Sequence, residues 1–322
     1  MRSGKDTVRK IGLKIGEAEI GASSGYPEIL EKENFYWFET NFLSVEYIPF
    51  REDMDSYIEI YVKQGQPSYE IEKNILRLHG DFSLLEKNAK DPRYSIFGNL
   101  GIFSSWVLRT LEEVHDIHTF HACGLVKDSR LLIIPGGAGA GKSVFIFTAL
   151  SQGWKILSTE FVHFRVKDTV TFFKGALQDA VRVDTFKYHF PEFAQKMNIQ
   201  LEEEMGGKLM VDLSSFQCSP YQLSNPEISL IFPHIEEKRD RLVYQEVKGQ
   251  ESVLRRLFHS ASEKIEKSLL LYGQMALPGI DNLFLAEKRK LSLEKFIEKG
   301  IIKNSFTWVS GIKDIPKIFD KL

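Results

Sequence analysis

The chain has 322 residues, a length that favours two domains over one or three. Hydrophobic residues make up 43% and charged residues 27%, which is typical of globular proteins and excludes a largely disordered, collagen-like or coiled-coil chain. Lys and Arg total 42 and Asp and Glu total 44, so the net charge near −2 provides no basic field for a nucleic-acid partner.

The number of cysteines and the length of the apolar runs indicate in which cellular compartment the protein is expected. The sequence has two cysteines, Cys123 and Cys218, so no disulfide framework is expected and a reducing compartment fits. The charged N-terminus lacks the apolar core of a secretory signal, and no apolar run approaches the ~20 residues that cross a bilayer. We therefore expect a cytoplasmic protein without a membrane partner, and a homo-oligomer stays open.

Residues 1–90 are expected to form a small β-rich domain. Residues 57–62 alternate in polarity and are rich in β-branched side chains, which predicts a strand. Residues 68–78 are expected to form a second strand that completes a hairpin. Because an isolated ribbon is only marginally stable, this hairpin needs a hydrophobic partner surface.

From residue 91 to residue 322 the pattern mixes helices and strands, which predicts an α/β domain with a mixed sheet. Apolar residues recur at helical spacing over 96–114, which predicts a helix there that ends near residues 115–116. The later predicted elements are strands at 119–125, 131–135 and 154–157, a helix at 143–152, a hairpin of 161–166 with 169–173, a strand at 228–233 with 242–247 as its candidate partner, and a helix at 251–267.

The most informative segment lies between the predicted strand 131–135 and the predicted helix 143–152. It matches G-x-x-x-x-G-K-S/T, the P-loop (Walker A) pattern, in the strand-to-helix context that the pattern requires. Small residues let backbone N–H groups wrap a phosphate chain closely, and the helix N-terminus adds free N–H groups and a favourable dipole. The residues predicted to bind nucleotide phosphates are Gly136, Gly137, Ala138, Gly139, Ala140, Gly141, Lys142 and Ser143.

The same segment predicts ATP and Mg²⁺ as ligands. Lys142 would reach the β- and γ-phosphates, and the Ser143 hydroxyl would ligate Mg²⁺. A P-loop enzyme usually needs a further acid near the metal. Glu160 follows Ser143 by 17 residues, after a helix, a turn and a strand that would return it to the phosphate end. An exposed Glu at a strand end is the alternative.

From about residue 96 to residue 164 the chain resembles the catalytic domain of HPr kinase/phosphorylase and its relatives, which share a phosphoenolpyruvate-carboxykinase-like version of the P-loop fold. The resemblance lies in His121-Ala122-Cys123-Gly124, the segment 136–143, Gly153 and Thr159-Glu160. It implies a Mg-ATP-dependent kinase that phosphorylates a hydroxyl acceptor, either a small molecule or a protein serine. It also implies that His121 lies near the phosphates and acts in catalysis with Lys142 and Glu160; a structural histidine beneath the loop is the alternative.

One position departs from this family, which has Asp-Asp where the chain has Thr159-Glu160. The family's second acid belongs with the metal, and Glu160 fits that role. The first acid accepts the proton of the hydroxyl nucleophile, which a neutral Thr159 hydroxyl does poorly. A Thr159→Asp substitution is therefore expected to restore an acceptor beside the nucleophile.

Thr159 leaves several interpretations open. The base is supplied elsewhere, or phosphoryl transfer depends mainly on positioning and electrostatics, or the chain is a nucleotide-binding regulatory or assembly protein with little catalysis. HPr serine kinase/phosphorylase itself is a further alternative. Thr159 disfavours it, and so do residues 1–90, which do not look like the N-terminal domain of that enzyme.

Two further groups of residues carry weaker hypotheses. His115, His118, His121 and Cys123 suggest zinc by their spacing, but the run crosses a predicted helix-to-strand junction that would scatter the side chains. Arg182 and Lys208 are candidates for contacts with phosphate or acceptor, and exposed salt bridges are the alternative for each.

Overall fold

The computed structural model describes residues 8–63, 67–137, 139–201, 207–236 and 239–322. The strands of the first half are β1 Arg9–Ile15, β2 Ala18–Ser24, β3 Glu46–Ile48, β4 Ser56–Val62, β5 Ser68–Glu72, β6 Ile75–Gly80, β7 His118–Lys127, β8 Arg130–Pro135, β9 Lys155–Ser158 and β10 Phe161–Val166. Those of the second half are β11 Val170–Phe173, β12 Gln178–Arg182, β13 Lys208–Asp212, β14 Gln222–Ser224, β15 Glu227–Ile235, β16 Val243–Glu246, β17 Leu269–Leu271, β18 Met275–Leu277 and β19 Ile302–Ser310.

Helices are interspersed with these strands throughout the chain. They are α1 Tyr36–Glu39, α2 Phe82–Lys87, α3 Ile102–His115, α4 Lys142–Ser151, α5 Val183–Tyr188, α6 Pro191–Lys196, α7 Gln250–Glu266, α8 Leu283–Glu298 and α9 Pro316–Phe319. The protein is therefore a mixed α/β structure, as the sequence predicts. Among the helices of the described ranges, none has both the length and the apolar character that a membrane span requires.

The chain divides into two compact units, each made of two segments. The first unit contains Met1–Ile117 and Ser262–Ala286, and the second contains His118–Ala261 and Glu287–Leu322. These units do not separate at residue 91, where the sequence pattern changes.

The first unit contains a six-stranded mixed sheet in the order β3-β1-β2-β4-β6-β5. Strands β2, β4 and β6 run parallel, whereas β1, β3 and β5 pair antiparallel with their neighbours. In β4 the alternate residues Ser56, Ile58 and Ile60 are buried, as the two-residue period of a strand requires. Strands are thus the main regular elements of residues 9–80.

The predicted single strand at 68–78 is in fact two strands. Lys73 has φ 55° and turns the chain from β5 into β6. Strand β6 then lies beside β4 in parallel register, with Tyr57 opposite Ile75. The predicted hairpin of 57–62 with 68–78 is therefore wrong, because the turn at Lys73-Asn74, which includes the common turn residue Asn, divides the second segment into two strands.

Helix α3 begins later than predicted and contacts the second segment of its unit. The residues before it, 96–101, pack closely on a short 3₁₀ turn, since a Cβ atom at Gly98 would lie 2.1 Å from the Arg93 carbonyl oxygen. The helix itself donates hydrogen bonds to the later segment, from Ser105 Oγ to the Lys264 carbonyl (2.6 Å) and from Arg109 to the Ile280 carbonyl (2.7 Å). These bonds make residues 262–286 part of the first unit.

The second unit contains a nine-stranded mixed sheet in the order β14-β11-β10-β7-β8-β15-β19-β16, with β9 also paired to β7. Strands β8, β15 and β19 are parallel, and β7 is antiparallel to β8, β9 and β10. Its core includes Phe120, Ile133, Leu230, Leu257 and Phe296. Strand β8 leads into α4 through the glycine-rich segment, in the strand–loop–helix order that the sequence predicts.

Strand β16 pairs with β19 and not with β15, so the predicted pairing of 228–233 with 242–247 is wrong. Strand β15 has β8 on one side and β19 on the other, and both pairings are parallel. Neither edge of β15 is therefore open to β16, which lies at the end of the sheet.

Candidate functional site

The connection between β8 and α4, residues 136–141, is called here the glycine loop. It starts beside β7, where the Gly136 N–H donates a hydrogen bond to the His121 carbonyl (3.1 Å). Gly141 has φ 92°, and a Cβ atom on it would lie 2.6 Å from Ile235 Cγ1, so only glycine fits there. As the N-cap of α4, Gly141 has no side chain to bond the first helical N–H groups. The first N–H groups of α4, which have no side-chain cap among the described residues, are suited to binding an anion.

The structure places the predicted loop residues in one strand-to-helix turn. Gly136, Gly137, Gly139, Ala140 and Gly141 form it, while Ala138 lies outside the described residues. The Ala140 N–H donates to the Gly137 carbonyl (3.2 Å), which keeps the turn tight. The loop therefore has the small side chains and compact backbone that close approach of a phosphate demands.

Lys142, the first residue of α4, extends back under the glycine loop. Its Nζ donates a hydrogen bond to the Gly136 carbonyl (2.7 Å). The same Nζ lies 3.3 Å from Glu160 Oε2 and 3.1 Å from His121 Nε2. Three of the predicted catalytic residues thus meet at one point, although they are separated by up to 39 positions in the sequence.

The register of β7 explains this meeting. His121 lies opposite Phe161 in β10, and the Ala122 N–H donates to the Glu160 carbonyl (3.0 Å). Glu160 itself lies at the break between β9 and β10, both of which run beside β7. Because β8 lies on the other side of β7, the start of the glycine loop and Glu160 flank the same residue, His121.

His121 and Glu160 are in direct contact. His121 Nε2 lies 2.8 Å from Glu160 Oε1, and the histidine is 3% exposed. One nitrogen either donates or accepts, so Nε2 cannot accept from Lys142 while it donates to Glu160. A hydrogen on Nε2 satisfies the geometry best, since His121 then donates to the carboxylate and Lys142 pairs with the other carboxylate oxygen and the Gly136 carbonyl.

Thr159 is oriented differently from Glu160. It is fully buried, and its N–H donates to the Ala176 carbonyl (2.9 Å). Its hydroxyl Oγ1 lies 2.5 Å from the Gln178 carbonyl oxygen and 3.2 Å from the Ala176 carbonyl oxygen. An Asp here would place a carboxylate against two carbonyl oxygens. The expectation that Thr159→Asp restores an acceptor beside the nucleophile is therefore not supported.

A close backbone approach brings a further acid to the site. The Gly175 N–H donates to the Leu157 carbonyl (3.0 Å), so the chain before β12 runs along β9. A Cβ atom on Gly175 would lie 2.4 Å from the Phe161 carbonyl oxygen and 2.5 Å from Ser158 Oγ. Only glycine allows this approach, and it carries the chain on to Asp179, the second residue of β12.

The Asp179 carboxylate belongs to the same site. Burial raises the pKa of Asp179 to about 6, and a hydrogen-bonding interaction with the Ser143 hydroxyl opposes that rise. The charge of Glu160 raises this pKa further, while the charges of Lys142 and Lys208 lower it. Its Oδ2 atom is shielded from solvent and has no hydrogen-bond partner in the part of the chain that the structure describes.

Sequence reasoning missed Asp179, although one signal was present. In a strand, residues two apart share a face, so Asp179 shares a face with the fully buried Val181. An acid on the apolar face of a short strand needs an explanation, and its position beside Ser143 provides one. Lys208 acts on Asp179 from the paired strand β13, whereas Arg182, opposite Lys208 in that pair, is exposed.

The oxygen atoms around Ser143 fit a magnesium ion. The Ser143 hydroxyl and the Asp179 carboxylate are hard donors, and Mg²⁺ in proteins commonly takes one or two carboxylates and completes its shell with substrate phosphates and water. The solvent-shielded Oδ2 of Asp179 is an acceptor for which a cation would be a partner. The residues present therefore suit Mg²⁺ bound together with a nucleotide.

The zinc hypothesis gains no support. Nowhere in the described ranges do three or more His, Cys, Asp or Glu residues come together to hold a metal ion. His115 instead contacts Asp55, with 2.8 Å between Nε2 and Oδ2. Cys123 is fully buried in β7, and burial raises the pKa of its thiol well above the usual range, which disfavours the thiolate that zinc requires.

No protein-family model matches the chain, and no curated protein matches it significantly. Its function therefore has to be inferred from the geometry of the site itself.

Proposed function

We propose that the protein is a Mg-ATP-dependent kinase of the HPr-kinase-like group, in which residues 136–143 act as a P-loop. The reaction would transfer the γ-phosphoryl group of ATP to a hydroxyl of a small molecule or a protein serine. It yields ADP and a phosphate ester and releases the hydroxyl proton.

The convergence of Lys142, His121 and Glu160 beneath the glycine loop is the observation that carries this proposal. Lys142 is 8% exposed and begins α4, where the helix dipole and the free N–H groups favour phosphate. A buried ammonium group held by a carboxylate and a carbonyl is ready to exchange those partners for phosphate oxygens. This explains why a cation occupies an otherwise enclosed position.

The proposal gives each group at the site a defined task. The loop amides and Lys142 would bind and orient the phosphates, and phosphoryl transfer depends mainly on such positioning and electrostatic stabilisation. Ser143, with a carboxylate beside it, would hold Mg²⁺. The bound ion would neutralise charge that develops on the phosphates. His121 would keep Glu160 in place beside Lys142.

A non-catalytic nucleotide-binding protein is the second candidate, and the position of Thr159 favours it. Its buried hydroxyl faces backbone carbonyls, so position 159 supplies no proton acceptor. Loss of a general base typically costs ~10²–10⁴-fold in rate, which leaves binding intact while turnover falls.

Incubation with γ-labelled ATP and Mg²⁺, with and without a panel of hydroxyl metabolites and serine-containing proteins, separates the two candidates. A kinase transfers label to an acceptor, and the Lys142→Ala variant does not. Tight ATP binding without transfer to any acceptor favours the regulatory protein. A parent protein that binds no ATP in calorimetry contradicts both.

A further inference from the structure

We propose that Pro233 and Ile235, at the carboxyl end of β15, are positioning residues for phosphate binding, because they brace the glycine loop in the shape that receives the ligand. This inference rests on the proposed function, in which the ligand is the polyphosphate chain of a nucleotide. The brace consists of two apolar side chains outside the 96–164 segment that carries the family resemblance.

Strand β15 continues past the end of its pairing with β8. The last paired residues are Leu230 and Ile133, and β8 ends at Pro135, where the glycine loop begins. Backbone N–H groups alternate between the two edges of a strand, and the Glu236 N–H donates to the Ser310 carbonyl of β19 (3.0 Å). The nitrogen of Pro233, three positions earlier, therefore faces the loop side, where no strand needs its missing N–H.

The two side chains lie at opposite ends of the glycine loop. Being two positions apart, Pro233 and Ile235 share one face of β15. Pro233 Cγ lies 4.0 Å from the place of a Cβ atom on Gly136, and Ile235 Cγ1 lies 2.6 Å from that on Gly141. The contacts thus hold the first and the last residue of the loop, between which the phosphates would bind.

Strand β19 supports this end of β15 from its other edge. The two strands run parallel, with Pro233 opposite Trp308 and Ile235 opposite Ser310. Trp308 is fully buried, and its Nε1 donates a hydrogen bond to Ser310 Oγ (2.9 Å). The brace is therefore part of the sheet and orders the loop ends before a ligand arrives. A loop that is already ordered loses less conformational entropy when it binds phosphate.

The test measures two affinities by calorimetry in Mg²⁺, that of a non-hydrolysable ATP analogue and that of inorganic tripolyphosphate, which has no nucleoside. Ile235→Ala removes Cγ1 and Cγ2 beside Gly141 and should weaken both ligands by about 10-fold, the scale of ordering the backbone of one more residue. Ile235→Val keeps both γ carbons and should bind as the parent does. Ile228→Ala is the control, because Ile228 lies in the core on the opposite face of β15. It should lower the thermal stability and leave both affinities unchanged.

Two further measurements address the contact itself. Hydrogen exchange of the ligand-free protein should be faster over residues 136–141 in Ile235→Ala than in Ile235→Val. Gly141→Ala should lower the affinity, because its Cβ atom would clash with Ile235 and its left-handed backbone would be strained. In the Ile235→Ala background this loss should be smaller, since the clash is gone and only the strain remains.

The outcomes are distinct. Unchanged affinities or unchanged exchange in Ile235→Ala, or an equal loss of affinity in Ile228→Ala, overturn the inference while nucleotide binding stands. A loss confined to the ATP analogue also overturns it, because Ile235 would then contact the nucleoside. Fully additive losses in the Gly141→Ala, Ile235→Ala pair contradict a shared contact. If Ile228→Ala does not fold, as judged by its thermal melt, Ile228→Val takes its place. A parent that binds neither ligand instead contradicts the proposed function.

Discussion

The Thr159 hydroxyl oxygen lies 2.5 Å from the Gln178 carbonyl oxygen, so the residue that follows β9 is hydrogen-bonded to the first residue of β12. Thr159 is fully buried, so this hydrogen bond is made away from water. It joins the residue before Glu160 to the residue before Asp179. The two acids of the candidate site are therefore positioned by one tie between neighbouring backbone segments.

Substitutions at Thr159 should first affect stability. Thr159→Val removes the donor and leaves buried carbonyls without it, which typically costs about 1–3 kcal/mol in the free energy of unfolding. Thr159→Asp should cost more, because its carboxylate would face two carbonyl oxygens. Thr159→Ser keeps the hydroxyl and is the matched control. Urea unfolding measures all three, and an Asp variant that is as stable as the parent and turns over faster would show that position 159 faces the nucleophile.

Lys142→Ala should weaken ATP binding without unfolding the protein. A charge-assisted hydrogen bond is worth about 1.5–3 kcal/mol, so the affinity should fall by roughly 10- to 100-fold. Lys187→Ala, an exposed lysine in the same unit, is the control for the loss of a positive charge and should leave the affinity unchanged. Calorimetry measures binding, and circular dichroism checks the fold. Equal ATP affinity in a folded Lys142→Ala variant would contradict the P-loop assignment.

Gly175→Ala should be more damaging than Gly153→Ala, for different physical reasons. The added Cβ atom at Gly175 would lie 2.4 Å from the Phe161 carbonyl oxygen, so the 174–178 segment must move away, and overpacking of this kind typically costs about 1–3 kcal/mol. Gly153 has open space around its Cβ position and φ 83°, so alanine there pays mainly the backbone strain of about 1 kcal/mol. Denaturant unfolding ranks the two variants. Equal costs would mean that the 174–178 segment can move away from β9 freely.

The elements next to the glycine loop could be predicted because their signals are local. An apolar strand, small loop residues and an apolar helix follow one another within residues 131–151, and β8 and α4 form there. Glu160 was predicted near Lys142 because a helix, a turn and a strand of ordinary lengths return the chain to its start. Their separation of 3.3 Å agrees with that expectation.

The remainder of the site depends on pairings that a local pattern does not reveal. Asp179 joins the site because Gly175 lets the chain run against β9. The hydrogen-bonded residues there, Gly175 and Leu157, are too far apart in the sequence for a local pattern to connect them. In the same way, β6 lies parallel to β4 because Lys73 makes a tight turn. Asn74 in that turn is a common turn residue, but one apolar residue on each side of it continues the strand pattern of 68–78, so the hairpin prediction is wrong there.

Protonation of the His163 imidazole should lower the stability of the protein in mild acid. It lies opposite Thr119 in the β10–β7 pair, with 2.8 Å between Nδ1 and the Thr119 hydroxyl, and burial lowers the pKa of His163 to about 4. The unfolded chain takes up this proton near pH 6.5, and the folded protein resists it until about pH 4. The stability that the neutral imidazole contributes is therefore fully present above about pH 6.5. It falls as the pH drops from 6.5 to 4, by up to about 3 kcal/mol.

His163→Gln tests this pH dependence, because glutamine cannot titrate. The variant's free energy of unfolding should change less between pH 7 and pH 4.5 than the parent's does, whatever its absolute stability at pH 7. His234→Gln, the same exchange at an exposed histidine, is the control for the effect of the substitution itself on stability. Urea unfolding at several pH values gives both slopes. If the parent and His163→Gln lose the same stability over this range, another group is responsible for the acid sensitivity, and the imidazole of His163 accepts its proton as readily in the folded protein as in the unfolded chain.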